Sequence, residues 1–142
     1  MRVTEVIHAW GHENVRATHR TTIEITKEPS LTPRGDCIIA VKATKSVYDL
    51  SRDFKEAARS RNARIRILIE AGGACDVVWA RGDPRLSFTH PTDLVIRRSR
   101  YVCGRTVAVE ADKAAIDLLR GLVQRLRNPN QQVRVTLEVW RP

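Results

Sequence analysis

The side chains best suited to chemistry are four histidines, His8, His12, His19 and His90, a few carboxylates near them, and a large excess of arginine. In the first half, Glu24 and Asp36 accompany His12 and His19 beside a loop rich in proline and glycine. Gathered at one end, such a set would suit a divalent ion that polarises a phosphodiester and activates water. Asp36 and Glu24 would hold the ion, His12 or His19 would act as general base, and Arg34 or Lys27 would steady the phosphate charge. The spacing is loose and names no particular metal, and strand alternation puts Glu24 on the face opposite His19. His19 and His90 stand in matching Thr-His-x-Thr motifs. Either each imidazole is buried and bonded to backbone or threonine, or the two converge across an axis to hold a metal or an anion.

Arginine carries most of the positive charge, since only Lys27, Lys42, Lys45, Lys55 and Lys113 are lysines in a chain of net charge +9. The isoelectric point is near 10.3. A guanidinium is a planar fork that matches phosphate oxygens, so nucleic acid is the partner that the charge favours. Arg97, Arg98, Arg100 and Arg105 in the second half, with Arg59, Arg61, Arg64 and Arg66 in the first, would track phosphates if they shared a face; as solvated surface they would do nothing. Aromatic residues are only 5% of the chain, which leaves Trp10, Trp79, Tyr48 and Tyr101 to stack on bases. No Walker or dinucleotide-binding fingerprint occurs, and Cys37, Cys75 and Cys103 follow no metal-ligand spacing. Their odd number argues against a secreted disulfide scaffold, and no apolar run reaches the length of a membrane span. A soluble, cytoplasmic protein is expected.

The elements that must position these residues are written twice. At one constant offset Val6/Val77, Ala9/Ala80, Gly11/Gly82, Thr18/Thr89, His19/His90 and Ile25/Ile96 coincide; after a three-residue deletion Ala43/Ala111, Lys45/Lys113, Asp49/Asp117, Arg66/Arg134 and Glu70/Glu138 do so too. Tandem duplication of residues 5–70 as 76–138 is the expectation, within one domain spanning residues 1–142. Each copy reads β-β-β-α-β. Strands are predicted at 3–10, 15–26, 37–43 and 64–70 and at their counterparts, with Gly11 and Gly82 as turn formers. Helices are predicted from Thr44 and Asp112 as N-caps, with Lys45/Asp49 and Lys113/Asp117 paired along them and Asn62 and Asn130 as left-handed caps. The class is therefore α+β: mostly antiparallel sheet, as a sandwich or barrel-like body, with two helices and pseudo-two-fold symmetry.

The run from Gly11 through His12, Asn14, Val15, Ala17, Thr18 and His19 to Lys27, followed by Leu31-Thr32-Pro33-Arg34-Gly35-Asp36-Cys37-Ile38, resembles the signature of an uncharacterised archaeal family catalogued as a domain of unknown function. Gly82-Asp83-Pro84-Arg85-Leu86 and Ala111-Asp112-Lys113-Ala114-Ala115 extend the likeness along the chain. The resemblance implies a compact, β-rich, cytoplasmic archaeal protein and brings no activity with it. Thermophile surfaces are rich in charge, so an archaeal source makes the arginine excess less diagnostic. Three functions follow from the residues: a basic module binding RNA or non-specific DNA, a metal-dependent endonuclease or phosphoesterase centred on the first copy, and a non-enzymatic assembly factor. Polar groups held by one copy alone are the ones free to have specialised.

Overall fold

Alternation over residues 64–71 and 132–140 puts Ile65, Ile67 and Ile69, and Val133, Val135, Leu137 and Val139, on one buried face each. Burying each such side chain contributes roughly 1.5–3 kcal/mol, so these two strands anchor the fold. The computed structural model describes residues 1–142. In chain order it contains β1 (Arg2–Trp10), β2 (Thr22–Thr26), β3 (Ile38–Ala40), α1 (Arg52–Ala58), β4 (Arg64–Ala71), β5 (Ala74–Arg81), β6 (Asp93–Arg97), β7 (Thr106–Ala108), α2 (Arg120–Leu126) and β8 (Gln132–Trp140). A 3-10 turn, Val47–Asp49 or Ala115–Asp117, precedes each helix.

Sheet A has the order β1-β8-β4-β5 and is antiparallel throughout. Sheet B has the order β3-β2-β6-β7, antiparallel at its centre and parallel at both edges. Both orders read the same from either end when β1 to β4 are exchanged for β5 to β8. The class is α+β with mostly antiparallel strands. Because β8 lies between β1 and β4, the halves interleave, and one hydrophobic cluster of 39 residues draws on both sheets and both helices. Helix α1 packs on β1 and β8, and α2 on β5 and β4.

The interlocking explains the two glycines. Neither Gly11 nor Gly82 has positive φ; those glycines are Gly72 and Gly73, in the β4–β5 turn. A Cβ on Gly82 would come closer than 3.0 Å to the carbonyl oxygens of Ala58 and Ser60, at the end of α1 and just past it, and one on Gly11 would do so with those of Leu126 and Asn128, at the end of α2 and just past it. The requirement is thus close backbone approach, each half's glycine lying under the other half's helix. Asp83 N–H donates to the Ala58 carbonyl at 3.1 Å and His12 N–H to that of Leu126 at 2.9 Å.

Other expectations are corrected in the same paired way. The long strands at 15–26 and its counterpart shrink to β2 and β6, because Ala17 and Phe88 take φ of 50° and 54° and turn the chain inward. The strand expected at 37–43 shrinks to β3, ended by Lys42 at φ 53°, as Glu110 at 52° ends β7. A non-glycine residue in this region costs on the order of 1–2 kcal/mol. Thr44 and Asp112 cap no helix: the Thr44 hydroxyl accepts from His8 N–H at 3.1 Å and the Asp112 carboxylate from Trp79 N–H at 3.0 Å, joining the turn to sheet A. The N-cap of α1 is Ser51, whose hydroxyl accepts from Phe54 N–H. Neither Asn62 nor Asn130 is left-handed.

Lys45 and Lys113 do not pair with Asp49 and Asp117. Each reaches inward to a buried carboxylate, Lys45 Nζ to Glu5 at 2.8 Å and Lys113 Nζ to Asp76 at 2.6 Å. The same carboxylates accept the backbone N–H of Ser51 and Leu119, where the helices start. Burial alone would raise both groups, but the hydrogen bonds from lysine and backbone outweigh it and hold them below the ordinary carboxylate range.

Candidate nucleic-acid interface

The outer faces of the two sheets differ. That of sheet B is sealed: Thr22, Glu24, Thr26, Val95 and Thr106 are all buried. That of sheet A is open, and on it Trp79 of β5 and Trp140 of β8 stack with ring centroids 5.6 Å apart and planes 28° from parallel. Arg64 lies over Trp79 at 5.1 Å and Arg2 over Trp140 at 5.5 Å; across the sheet Arg2, Trp140 and Arg64 are direct cross-strand neighbours on β1, β8 and β4, with Trp79 beyond them on β5. Strand alternation supplies each member: the inward phases of β5 and β8 are taken by Asp76, Val78 and Ala80 and by Val133 to Val139, which leaves the tryptophans outward. Trp79 is 37% exposed.

Glu138, buried beneath this ladder, organises the cations. It accepts Arg2 Nε at 2.8 Å and the Thr4 hydroxyl at 3.3 Å, and lies 3.9 Å from Arg66 Nη1. Beside Trp140 a cavity of about 420 Å³ is lined by Arg2, Asn62, Arg64 and Arg141 among others. Aromatic planes flanked by guanidinium groups on an open sheet can stack bases and meet phosphates together.

The sequence-predicted arginines divide. Arg64 and Arg66 belong to this face. Arg97 and Arg105 instead serve the sealed face of sheet B, where Arg97 Nε donates to Thr106 at 3.1 Å and Arg105 Nη1 lies 3.3 Å from Glu24 and 3.0 Å from Asp93. Arg98 pairs with Asp117 and Arg100 with Glu110, while Arg34 is exposed in the 27–37 loop and makes no side-chain hydrogen bond. They do not make one patch.

The acid and imidazole set is dispersed as well. His12 lies by the end of α2, its Nδ1 accepting Asn14 N–H at 3.0 Å. His19 and His90 are half-buried rather than core residues, and each Nδ1 accepts backbone N–H groups of the turn into β2 or β6: Thr21 at 3.2 Å for His19, Thr92 at 3.3 Å and Asp93 at 2.9 Å for His90. Since β2 and β6 run antiparallel with Thr22 opposite Arg97 and Thr26 opposite Asp93, the histidines stand at opposite ends of that ribbon and do not converge. Glu24 and His90 do share neighbours: Arg105 bridges Glu24 to Asp93, and His90 Nε2 is 3.9 Å from Asp93. Burial, then the charge of Asp93, pushes Glu24 up, and Arg105 pulls it back in part. Asp36 makes no side-chain hydrogen bond; its backbone oxygen accepts from Thr18 and His19. No three His, Cys, Asp or Glu side chains are grouped to hold a metal ion.

The cysteines are free, with Cys37 pushed up to about 12 by burial and by Glu24. Sequence reasoning missed Trp140, Arg2, Glu138 and Asp93. An aromatic or a carboxylate in strand phase opposite a β-branched run was the available signal for Trp140 and Glu138; nothing local marked Arg2 or Asp93.

No helix of the protein is long and apolar enough to cross a membrane. Residues 7–140 match the model of a family described as a domain of unknown function, DUF371. An uncharacterized protein of Methanocaldococcus jannaschii is 45% identical over 128 residues, covering 90% of this chain and 94% of that protein. The chain therefore belongs to the DUF371 family.

Proposed function

We propose that the protein binds nucleic acid, RNA or non-specific DNA, with unpaired bases stacking at the open face of sheet A. The observation that carries this reading is the ladder of Arg2, Trp140, Trp79 and Arg64. A guanidinium group already lies against each indole, so a base must displace one or stack on it. A surface cation–π contact contributes about 0.5–1 kcal/mol and a base on an aromatic ring about 1–3 kcal/mol, so the exchange favours the base. The freed arginine then meets phosphate. The reading predicts preference for single strands, little base selectivity and steep weakening with salt. Two of the three tryptophans in the chain form the ladder, so oligonucleotide titration followed by tryptophan fluorescence, beside a salt-graded gel shift, tests it directly. Absence of quenching and retardation at low ionic strength would defeat it.

A second reading, docking of another protein, draws on a row across the middle of the same face. Val6, Thr136, Leu68 and Val77 are neighbours in register across all four strands, and Val6 is 37% exposed. Light scattering across a concentration series would reveal self-association there.

A further inference from the structure

Beyond the ladder, at the end of the edge strand β5, a separate cavity of about 380 Å³ is lined by Arg61, Arg81, Arg85 and Arg100 against only Asp83 and Glu110. Four guanidinium groups against two carboxylates leave a surplus of two positive charges. The carboxylates hold the arginines in place. Asp83 is only 6% exposed; its Oδ1 accepts Arg85 Nε and its Oδ2 accepts Arg85 Nη2, both at 3.0 Å, while the backbone N–H of Arg85 donates to Oδ1 at 2.8 Å. That leaves Arg85 Nη1 free, and Arg85 Nη2 also donates to the Arg100 carbonyl at 3.0 Å, tying the loops on either side of the cavity together. Glu110 pairs with Arg100 and lies 3.8 Å from Arg81. Arg61 has no ion pair or hydrogen-bonded partner, although its charge, after the stronger effect of Arg85, helps to hold Asp83 low.

Comparison of the halves shows that this is not general basicity. Arg61, Arg81 and Arg85 correspond to Pro129, Trp10 and Asn14, and Asp83 and Glu110 to His12 and Lys42. One half has concentrated arginines and their supporting acids where the other has no arginine and no acid at these matching positions. The cavity also adjoins the ladder, because Arg81 is the cross-strand partner of Arg64, which lies over Trp79.

We propose that this cavity binds a phosphomonoester, the terminal phosphate of an oligonucleotide or of a free nucleotide, with Arg61 and Arg100 closing on the dianion and Arg85 presented by Asp83. A monoester carries up to two negative charges near neutral pH, which the surplus matches, whereas a diester carries one. The oligonucleotide form of the proposal rests on the nucleic-acid reading above; the free-nucleotide form does not.

The test measures affinity of the full chain for one single-stranded RNA sequence carrying a 5′-phosphate, a 3′-phosphate or hydroxyl groups at both ends, and, separately, for adenosine monophosphate by calorimetry. Expected is a gain of about tenfold for one phosphorylated end over the hydroxyl form, removed in Arg61→Ala and in Arg100→Ala, with hydroxyl-form binding unchanged. Both side chains are exposed and neither supports the core, so both variants should fold, which circular dichroism checks. If all three oligonucleotides bind equally, and adenosine monophosphate does not bind, the cavity proposal is overturned while the ladder reading stands. Binding of adenosine monophosphate alone, lost in Arg61→Ala, supports the cavity and removes the ladder reading. No binding of any probe removes both.

Discussion

Two ends of one sheet face, exchanged by the internal symmetry, have become different surfaces. At one end of sheet A, Glu138 supports Arg66 beneath Trp79, Trp140, Arg2 and Arg64. At the other, Glu70 pairs with Arg134 at 3.1 Å in the equivalent place, but the positions matching the ladder hold His8, Gly72, Gly73 and Gln132. An acid–arginine pair is common to both, with its acid buried at Glu138 and more open at Glu70; the aromatic and cationic layer above it is not. Positions that build the fold therefore recur across the halves, whereas the surface layer above them departs from one half to the other.

That division can be broken at several points. The largest effect is expected from Gly11→Ala and Gly82→Ala, each of which drives a Cβ into backbone carbonyls at a helix end. Both should lose about 3 kcal/mol in chemical denaturation, since backbone cannot yield as a side-chain tip can; a large disparity between them would deny the equivalence of the halves. Next come Glu5→Gln and Asp76→Asn, each leaving a lysine and a backbone N–H without their ionic acceptor, at a cost of about 2 kcal/mol at pH 7. In the wild type both carboxylates are held below their ordinary values. Their contribution is thus fully present above the unfolded-state values of 4.5 and 3.8 and is lost as pH falls through the lower folded ones. The variants should show a shallower acid limb in a pH series of melting temperatures.

Asymmetry should replace symmetry at the ladder. Trp79→Ala and Trp140→Ala are each expected to weaken single-stranded oligonucleotide binding by about 1–2 kcal/mol, while His8→Ala at the opposite end changes it by less than about 0.3 kcal/mol. Equal losses at both ends, in anisotropy titrations, would mean that the ladder is not the site. A small stabilising effect is expected at Lys42 and Glu110, whose side chains differ but whose left-handed backbone is shared. Replacing Lys42 by Gly should stabilise by about 0.5 kcal/mol as strain is relieved. Glu110→Gly should gain less, because it also removes the partner of Arg100 and Arg81.

Much of the frame was legible because its signals are local. Alternation located β1, β4, β5 and β8 to within a residue or two, while the two helices were expected but each N-cap was placed seven residues early, before a 3-10 turn. The strands predicted at 15–26 and 37–43 were overextended, since alternation persists through buried residues such as Val15 and Ala17 that pack without pairing. Thr44 and Lys45 looked like the start of a helix because their types suit one. Their real partners, His8 and Glu5, lie on a strand that sequence spacing does not bring near. The same blindness scattered the acid and imidazole set, whose members share a half but not a surface.

By itself the sequence determined the element types, their repetition, the inward phase of each long strand and the excess of cationic charge, because all of these depend on neighbours a few residues away. Only the tertiary structure decided that β8 inserts between β1 and β4, and with it that Trp140 meets Trp79 and Arg2 meets Glu138. It likewise decided that the end of α1, the end of β5 and the loop carrying Arg100 enclose one cationic cavity. Strand order is chosen by how the complete apolar surface can be closed, a property of the whole chain that no local period encodes.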